Sequence, residues 1–177
     1  MTRPVVTKDD MLRRTALFKD LKPSTLPFLD AAMPEFERQI FNVIGGGVTE
    51  DANAAVAIAD ARDFHLTMVR AGPGKGSALH THTTLEVFVP LSGTWAIIWG
   101  DEGENELTIG PWDVVSVPTE IMRGFRNDSD ADAVLLAILG GTDPGRVTRA
   151  ESIVEAARIR GVALDADGNV VRVKGEG

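Results

Sequence analysis

Between residues 52 and 140 apolar and polar side chains alternate in short runs parted by glycine, proline and aspartate: 54–58, 63–71, 85–91, 94–99, 105–109, 113–117, 121–126 and 133–139. A period of two marks a half-buried strand, and short strands repeating at this spacing predict an all-β sandwich or barrel. The period changes on either side. Thr7 stands three residues before Asp10, a variant of the capping box, and Met11, Leu12, Thr15 and Phe18 recur at helical spacing, which predicts a helix over about 8–21. Pro23, Pro27 and Pro34 then divide residues 23–38 into short helical pieces. Near the other end, residues 148–160 read as an amphipathic helix carrying Ile153, Ala156 and Ala157 on one face and stopped by Gly161. Residues 162–164 and 169–171, joined by Asp165 to Gly168, form a hairpin pattern. The expected organisation is one domain: an N-terminal arm over 1–52, a β-barrel over 53–142, and a helix with a hairpin over 143–177.

Composition narrows the chemistry. The 177 residues are 44% apolar and 25% charged, the balance of a chain that folds as one globular unit. Lys plus Arg number 18 against 26 Asp plus Glu, and a net charge of −8 repels phosphate backbones and anionic lipid, so neither nucleic acid nor membrane is an expected partner. Without cysteine there is no disulfide, thiolate metal site or cysteine nucleophile, and without tyrosine there is no phenolic acid or base. The first ten residues carry no apolar signal core and no later stretch could span a bilayer as a helix, so a cytoplasmic location is expected. Gly45-Gly46-Gly47 and the Gly72 to Ser77 run lack the spacing of a phosphate loop, Asp165-Ala166-Asp167-Gly168 lacks the distal glutamate of a calcium loop, and no G-x-S-x-G elbow exists.

What remains is histidine. The chain has three, His65, His80 and His82. On an extended strand residues i and i+2 share a face, so His80 and His82 lie side by side, and Glu86 has the same parity if the strand continues or bends only gently. Two imidazoles and a carboxylate make a 2-His-1-carboxylate set for a divalent first-row metal; the competing reading is a solvated polar strand face. His65 follows Phe64 in a strand-like run and reads as a core or surface residue before a ligand.

The stretch Gly74 to Gly93, with glycine, five residues, His80-Thr81-His82, three residues, Glu86, six residues and Gly93, resembles the first cupin motif. Gly110-Pro111-Trp112-Asp113 through Pro118 to Gly124-Phe125-Arg126-Asn127 resembles the second in part. Trp112 and Glu120 stand where that family usually has glycine, and Arg123 stands where it usually has its third metal-binding histidine. The resemblance covers about residues 60–140 and implies a cupin (double-stranded β-helix, jelly-roll) barrel, often a homodimer. It also implies a metal inside held by His80, His82 and Glu86, most simply Fe(II), with Mn, Ni or Zn as alternatives. Arg123 cannot be carried over, because a guanidinium has no lone pair to donate.

Three roles for Arg123 stand open. It holds an anionic substrate beside a three-ligand metal; or it pairs with Glu86 and replaces the metal, leaving no cofactor; or it turns out to solvent while His65 completes the ligand set. Phe88, Trp95, Trp99, Met122 and Phe125 are the candidate pocket lining for an anionic or aromatic small molecule. The expected function is a small-molecule oxygenase of the Fe(II) dioxygenase type, with isomerase or lyase chemistry on the same metal as close variants. A non-catalytic cupin that binds a ligand or serves a structural role is the alternative.

Overall fold

The computed structural model describes residue 3 and residues 5–173. Alternation along the chain becomes two packed sheets. One has six strands in the order β2 (Val56–Ile58), β1 (Gln39–Ile44), β3 (Phe64–Ala71), β10 (Ala133–Gly140), β5 (Glu86–Pro90), β8 (Val115–Val117). The other has five, in the order β11 (Thr148–Arg149), β4 (Gly76–Thr81), β9 (Arg123–Asn127), β6 (Trp95–Trp99), β7 (Asn105–Ile109). Every pairing is antiparallel apart from β1 with β2. The architecture is all-β, with the two sheets of a jelly roll face to face.

Strand β10 shows why the alternation was readable. Ala133, Leu135, Ala137 and Leu139 are buried, while the residues between them are only half-buried. The inward set joins Ile40, Val69, Phe88, Trp95, Ile97 and Phe125 in the core between the sheets. Phe125 meets Phe88 and Trp95 edge to face, at ring centroid distances of 5.5 and 5.9 Å. Strand β4 was missing from the alternating runs because Gly76 opens it without a side chain. A Cβ there would lie 1.8 Å from the Phe125 carbonyl oxygen, so the approach of β9 excludes any other residue.

The ends differ from the expected pattern. The Thr7 capping box forms, yet α1 covers only Lys8–Leu12 instead of the helix expected over 8–21. None of its residues is buried, so no docking surface prolongs it, and the Thr15 hydroxyl closes back on the Met11 carbonyl at 2.8 Å. Short 3-10 turns at Leu29–Ala32 and Pro34–Phe36 match the expected broken helical pieces. The stretch read as an arm also supplies β1, so the sheet recruits residues 39–44. At the C-terminal end α2 (Glu151–Ile159) and the hairpin of β12 (Val162–Leu164) and β13 (Val170–Arg172) pack Ala157 and Val162 against Leu29. No helix among the described residues is long and apolar enough to cross a membrane.

Candidate metal centre

Strand β4 carries His80; His82 follows just past its end, and Glu86 opens β5. The ligand atoms of these three residues all lie within 4.8 Å of one another. His80 Nδ1 is 2.8 Å from the Ala78 carbonyl oxygen, so Nδ1 carries the proton and Nε2 is left with a lone pair. Burial pushes the His80 imidazole down to about 4, which keeps it neutral at physiological pH. The Thr84 hydroxyl donates to the Pro144 carbonyl and lies 2.7 Å from His82 Nδ1, and His82 Nε2 lies 3.1 Å from Glu86 Oε2. Burial alone would raise the Glu86 carboxyl; the hydrogen bond and charge of His82, with His80 and Arg123, hold it below its usual value.

Arg123 is wholly buried behind this group. Its Nε donates to Glu86 Oε2 at 3.3 Å, its Nη1 to the Ile121 carbonyl at 2.8 Å, and its Nη2 lies 2.7 Å from His82 Nε2. The guanidinium stands at the fourth corner of the donor set and neutralises Glu86. Two of the three roles considered for it do not match this placement. It does not turn out to solvent, and with its nitrogens engaged and no part in the cavity wall it offers no clamp to a substrate. His65 is not brought to the group either: its Nδ1 accepts from Gly47 N and its Nε2 lies 3.0 Å from the Thr142 carbonyl.

By donor type and spacing, two imidazole nitrogens and a carboxylate fit a divalent ion. His80 and Glu86 open onto a cavity of about 40 Å³ between the sheets. Its walls include Phe125 from the expected pocket lining; Phe88, Trp95, Trp99 and Met122 are not among them. Phe88 and Trp95 do point inward, but into the close-packed part of the core. In their place stand polar residues the sequence did not single out: Asp30, Arg38, Asn42, Thr67 and Arg149. Arg38 and Asp30 form an ion pair at 3.1 Å and Arg149 pairs with Glu50 at 2.7 Å, all four buried or nearly so. Arg38 also lies over the Phe28 ring, 5.0 Å from its centroid. A signal was available for Arg38, Ile40 and Asn42, whose i, i+2, i+4 spacing suits one face of an extended segment, but the prolines that precede it at 23, 27 and 34 masked the strand.

The Cupin_2 family, described as a cupin domain, matches residues 67–139. No curated protein matches the sequence. Among solved structures, a cupin-2 domain protein of Rhodospirillum rubrum is 15% identical, with a TM-score of 0.57 over 94% of this chain and 93% of that one. The polyketide cyclase RemF of Streptomyces resistomycificus is 17% identical, with a TM-score of 0.55 over 80% of this chain and 89% of that one. The oxalate decarboxylase of Lactobacillus farciminis is 14% identical, with a TM-score of 0.55 over 78% of this chain and 36% of that one. One further detail fixes the register of the second motif. Trp112 and Glu120, at the two expected glycine positions, are the two non-glycine residues with left-handed backbone among those described, at φ 73° and 60°. Residues 67–139 match a cupin domain, and the strand order and the converging His-His-Glu group agree with that match.

Proposed function

We propose that the chain is a metal-dependent enzyme acting on a small oxygenated molecule, most simply an Fe(II)-type oxygenase. The observation that carries this reading is the convergence of His80, His82 and Glu86, with Arg123 at the corner where a fourth ligand would stand. A divalent ion held by three protein donors would supply Lewis acidity and keep positions open for substrate and, as Fe(II), for dioxygen. Ala78 fixes the tautomer that directs the His80 Nε2 lone pair into the site, and Thr84 holds the His82 ring from its Nδ1 side. Arg123 balances the Glu86 carboxylate, and Phe125, Val69, Ala137 and Leu139 keep bulk water from the cavity. The fold is shared with proteins described as a polyketide cyclase and an oxalate decarboxylase, so lyase or isomerase chemistry on the same ion is the near variant.

Metal content after anaerobic Fe(II) loading, measured on wild type and His82→Ala, tests the reading together with oxygen uptake. One equivalent that disappears in a folded His82→Ala supports it; turnover retained in that variant overturns it. A second reading rests on the 2.7 Å approach of Arg123 Nη2 to His82 Nε2, which lets the guanidinium serve as the site's own cation in a non-catalytic binding cupin. Failure to take up any divalent ion would favour it.

A homodimer belongs to the same proposal. Leu66, Met68, Val87, Val89, Leu136 and Ile138 form the outer face of β3, β10 and β5, with Leu136 opposite both Met68 and Val89 and Ile138 opposite both Leu66 and Val87. An apolar sheet face of this kind suits an isologous contact with a second copy. Leu136→Glu should halve the mass seen by light scattering while the circular dichroism spectrum stays unchanged.

A further inference from the structure

The cavity wall on the β1 and β3 side is apolar at Ile40, Val69, Ala137 and Leu139, with two polar residues set among them. Asn42 and Thr67 are register partners on neighbouring strands, and both are buried, at 3% and 7% exposure. Asn42 Oδ1 is sealed from solvent and has no hydrogen-bond partner, and the Thr67 hydroxyl makes no hydrogen bond within the described chain. Arg38 Nε is the other sealed and unpartnered side-chain atom among the described residues, and it belongs to the same wall. Buried polar groups are almost always paired, so an unpaired acceptor on a residue that lines a cavity points to a ligand's donor.

Charge sets the other half of the ligand. Three guanidinium groups border the site, and each is already matched by a carboxylate: Arg38 by Asp30, Arg123 by Glu86 and Arg149 by Glu50. The charge of a divalent ion at His80, His82 and Glu86 is therefore left for the ligand to balance. Size favours a compact ligand as well, because the cavity between the sheets is only about 40 Å³.

We propose that Asn42 and Thr67 are the recognition residues of this cavity, and that they select a short carboxylic acid bearing a hydroxyl away from its carboxylate. The hydroxyl donates to Asn42 Oδ1 and accepts from Thr67, while the carboxylate faces the His80 and Glu86 side. The carboxylate half rests on the metal reading above. The hydroxyl half stands on Asn42 and Thr67 alone.

Binding of three matched probes, 3-hydroxypropionate, propionate and 3-hydroxypropionamide, is measured by NMR titration on Zn(II)-loaded and chelator-treated protein. Wild type with Zn(II) should bind 3-hydroxypropionate about tenfold more tightly than propionate, and more tightly than the amide. Asn42→Leu and Thr67→Val should each collapse the hydroxyl preference while leaving propionate binding unchanged. Because Asn42 has no partner to lose, Asn42→Leu should unfold no earlier than wild type. A chain that takes up no Zn(II) but keeps an Asn42-dependent hydroxyl preference would remove the metal reading and support these recognition residues. Equal binding of 3-hydroxypropionate and propionate, no binding of any probe, or a preference that survives both variants would overturn the proposal.

Discussion

Asp30 and His80 are joined through a single residue: the Ala78 N–H donates to Asp30 Oδ2 at 2.9 Å, and the Ala78 carbonyl lies 2.8 Å from His80 Nδ1. Asp30 is itself held by both terminal nitrogens of Arg38 at 3.1 Å. A residue from the N-terminal 3-10 turn thus anchors Ala78, whose carbonyl orients a candidate ligand on β4. Asp30→Asn keeps the shape but leaves the Arg38 charge buried and unmatched, which should cost about 3 kcal/mol in denaturant unfolding. Loosening the partner that orients His80 should also weaken divalent-ion binding by about tenfold, read by titration with Zn(II). A variant as stable as wild type with unchanged affinity would refute the link.

The same pair sets an acid limit. Burial pushes the Asp30 carboxyl upward, but the charge and hydrogen bonds of Arg38, with the Ala78 N–H, outweigh it and hold the group below its ordinary value. A carboxyl depressed in the folded state contributes stability that is present above its unfolded pKa and lost as pH falls through the folded one. The unfolded value is about 3.9, so the Asp30 contribution should drain away below about pH 4. Thermal melts of wild type and Asp30→Asn should converge on acidification, with the variant showing the flatter acid limb.

Trp112 and Glu120 hold left-handed backbone that costs a residue bearing a side chain about 1 kcal/mol relative to glycine. Both are exposed, so little packing is lost on replacement. Trp112→Gly and Glu120→Gly should each therefore raise stability, by at most about 1 kcal/mol after the added flexibility of the unfolded chain is set against the relief. Chemical denaturation checks the sign. Destabilisation by both would mean that the side chains make contacts worth more than the strain.

How far the sequence could be read follows from the range over which each feature is encoded. Ala133 to Leu139 declared itself a strand because one face of β10 is core and the other is not, a difference that repeats every second residue. His80, His82 and Glu86 were legible because they are close in sequence, although they do not share one strand: β4 ends at Thr81 and Glu86 opens β5 after a turn. The cavity wall was not, because Arg38 and Asn42 meet Thr67, Ala137 and His80 only through pairings that span the whole chain. Phe88 and Trp95 are expected pocket lining that lies instead in the packed core, because alternation does not say which level between the sheets is packed solid and which is hollow.

Arg123 offers the sharpest test of how this site handles charge, since it faces Glu86 and His82 across β4 and β9 with no exposure to water. Arg123→His places an imidazole where the second motif of the family has one. It should bind Zn(II) at least tenfold more tightly than wild type, because a neutral donor replaces a cation that repels the ion. Arg123→Met removes the charge without supplying a donor and leaves Glu86 unmatched, so in chelator it should lose about 3 kcal/mol of stability. Adding Zn(II) should restore most of that loss in Arg123→Met, because an ion that binds only the folded state stabilises it by mass action. Thermal melts of the three proteins with chelator and with Zn(II) make the comparison directly. If Zn(II) shifts neither variant, the His80, His82 and Glu86 group does not hold a divalent ion, and the Arg123 guanidinium is the cation for which the site is built.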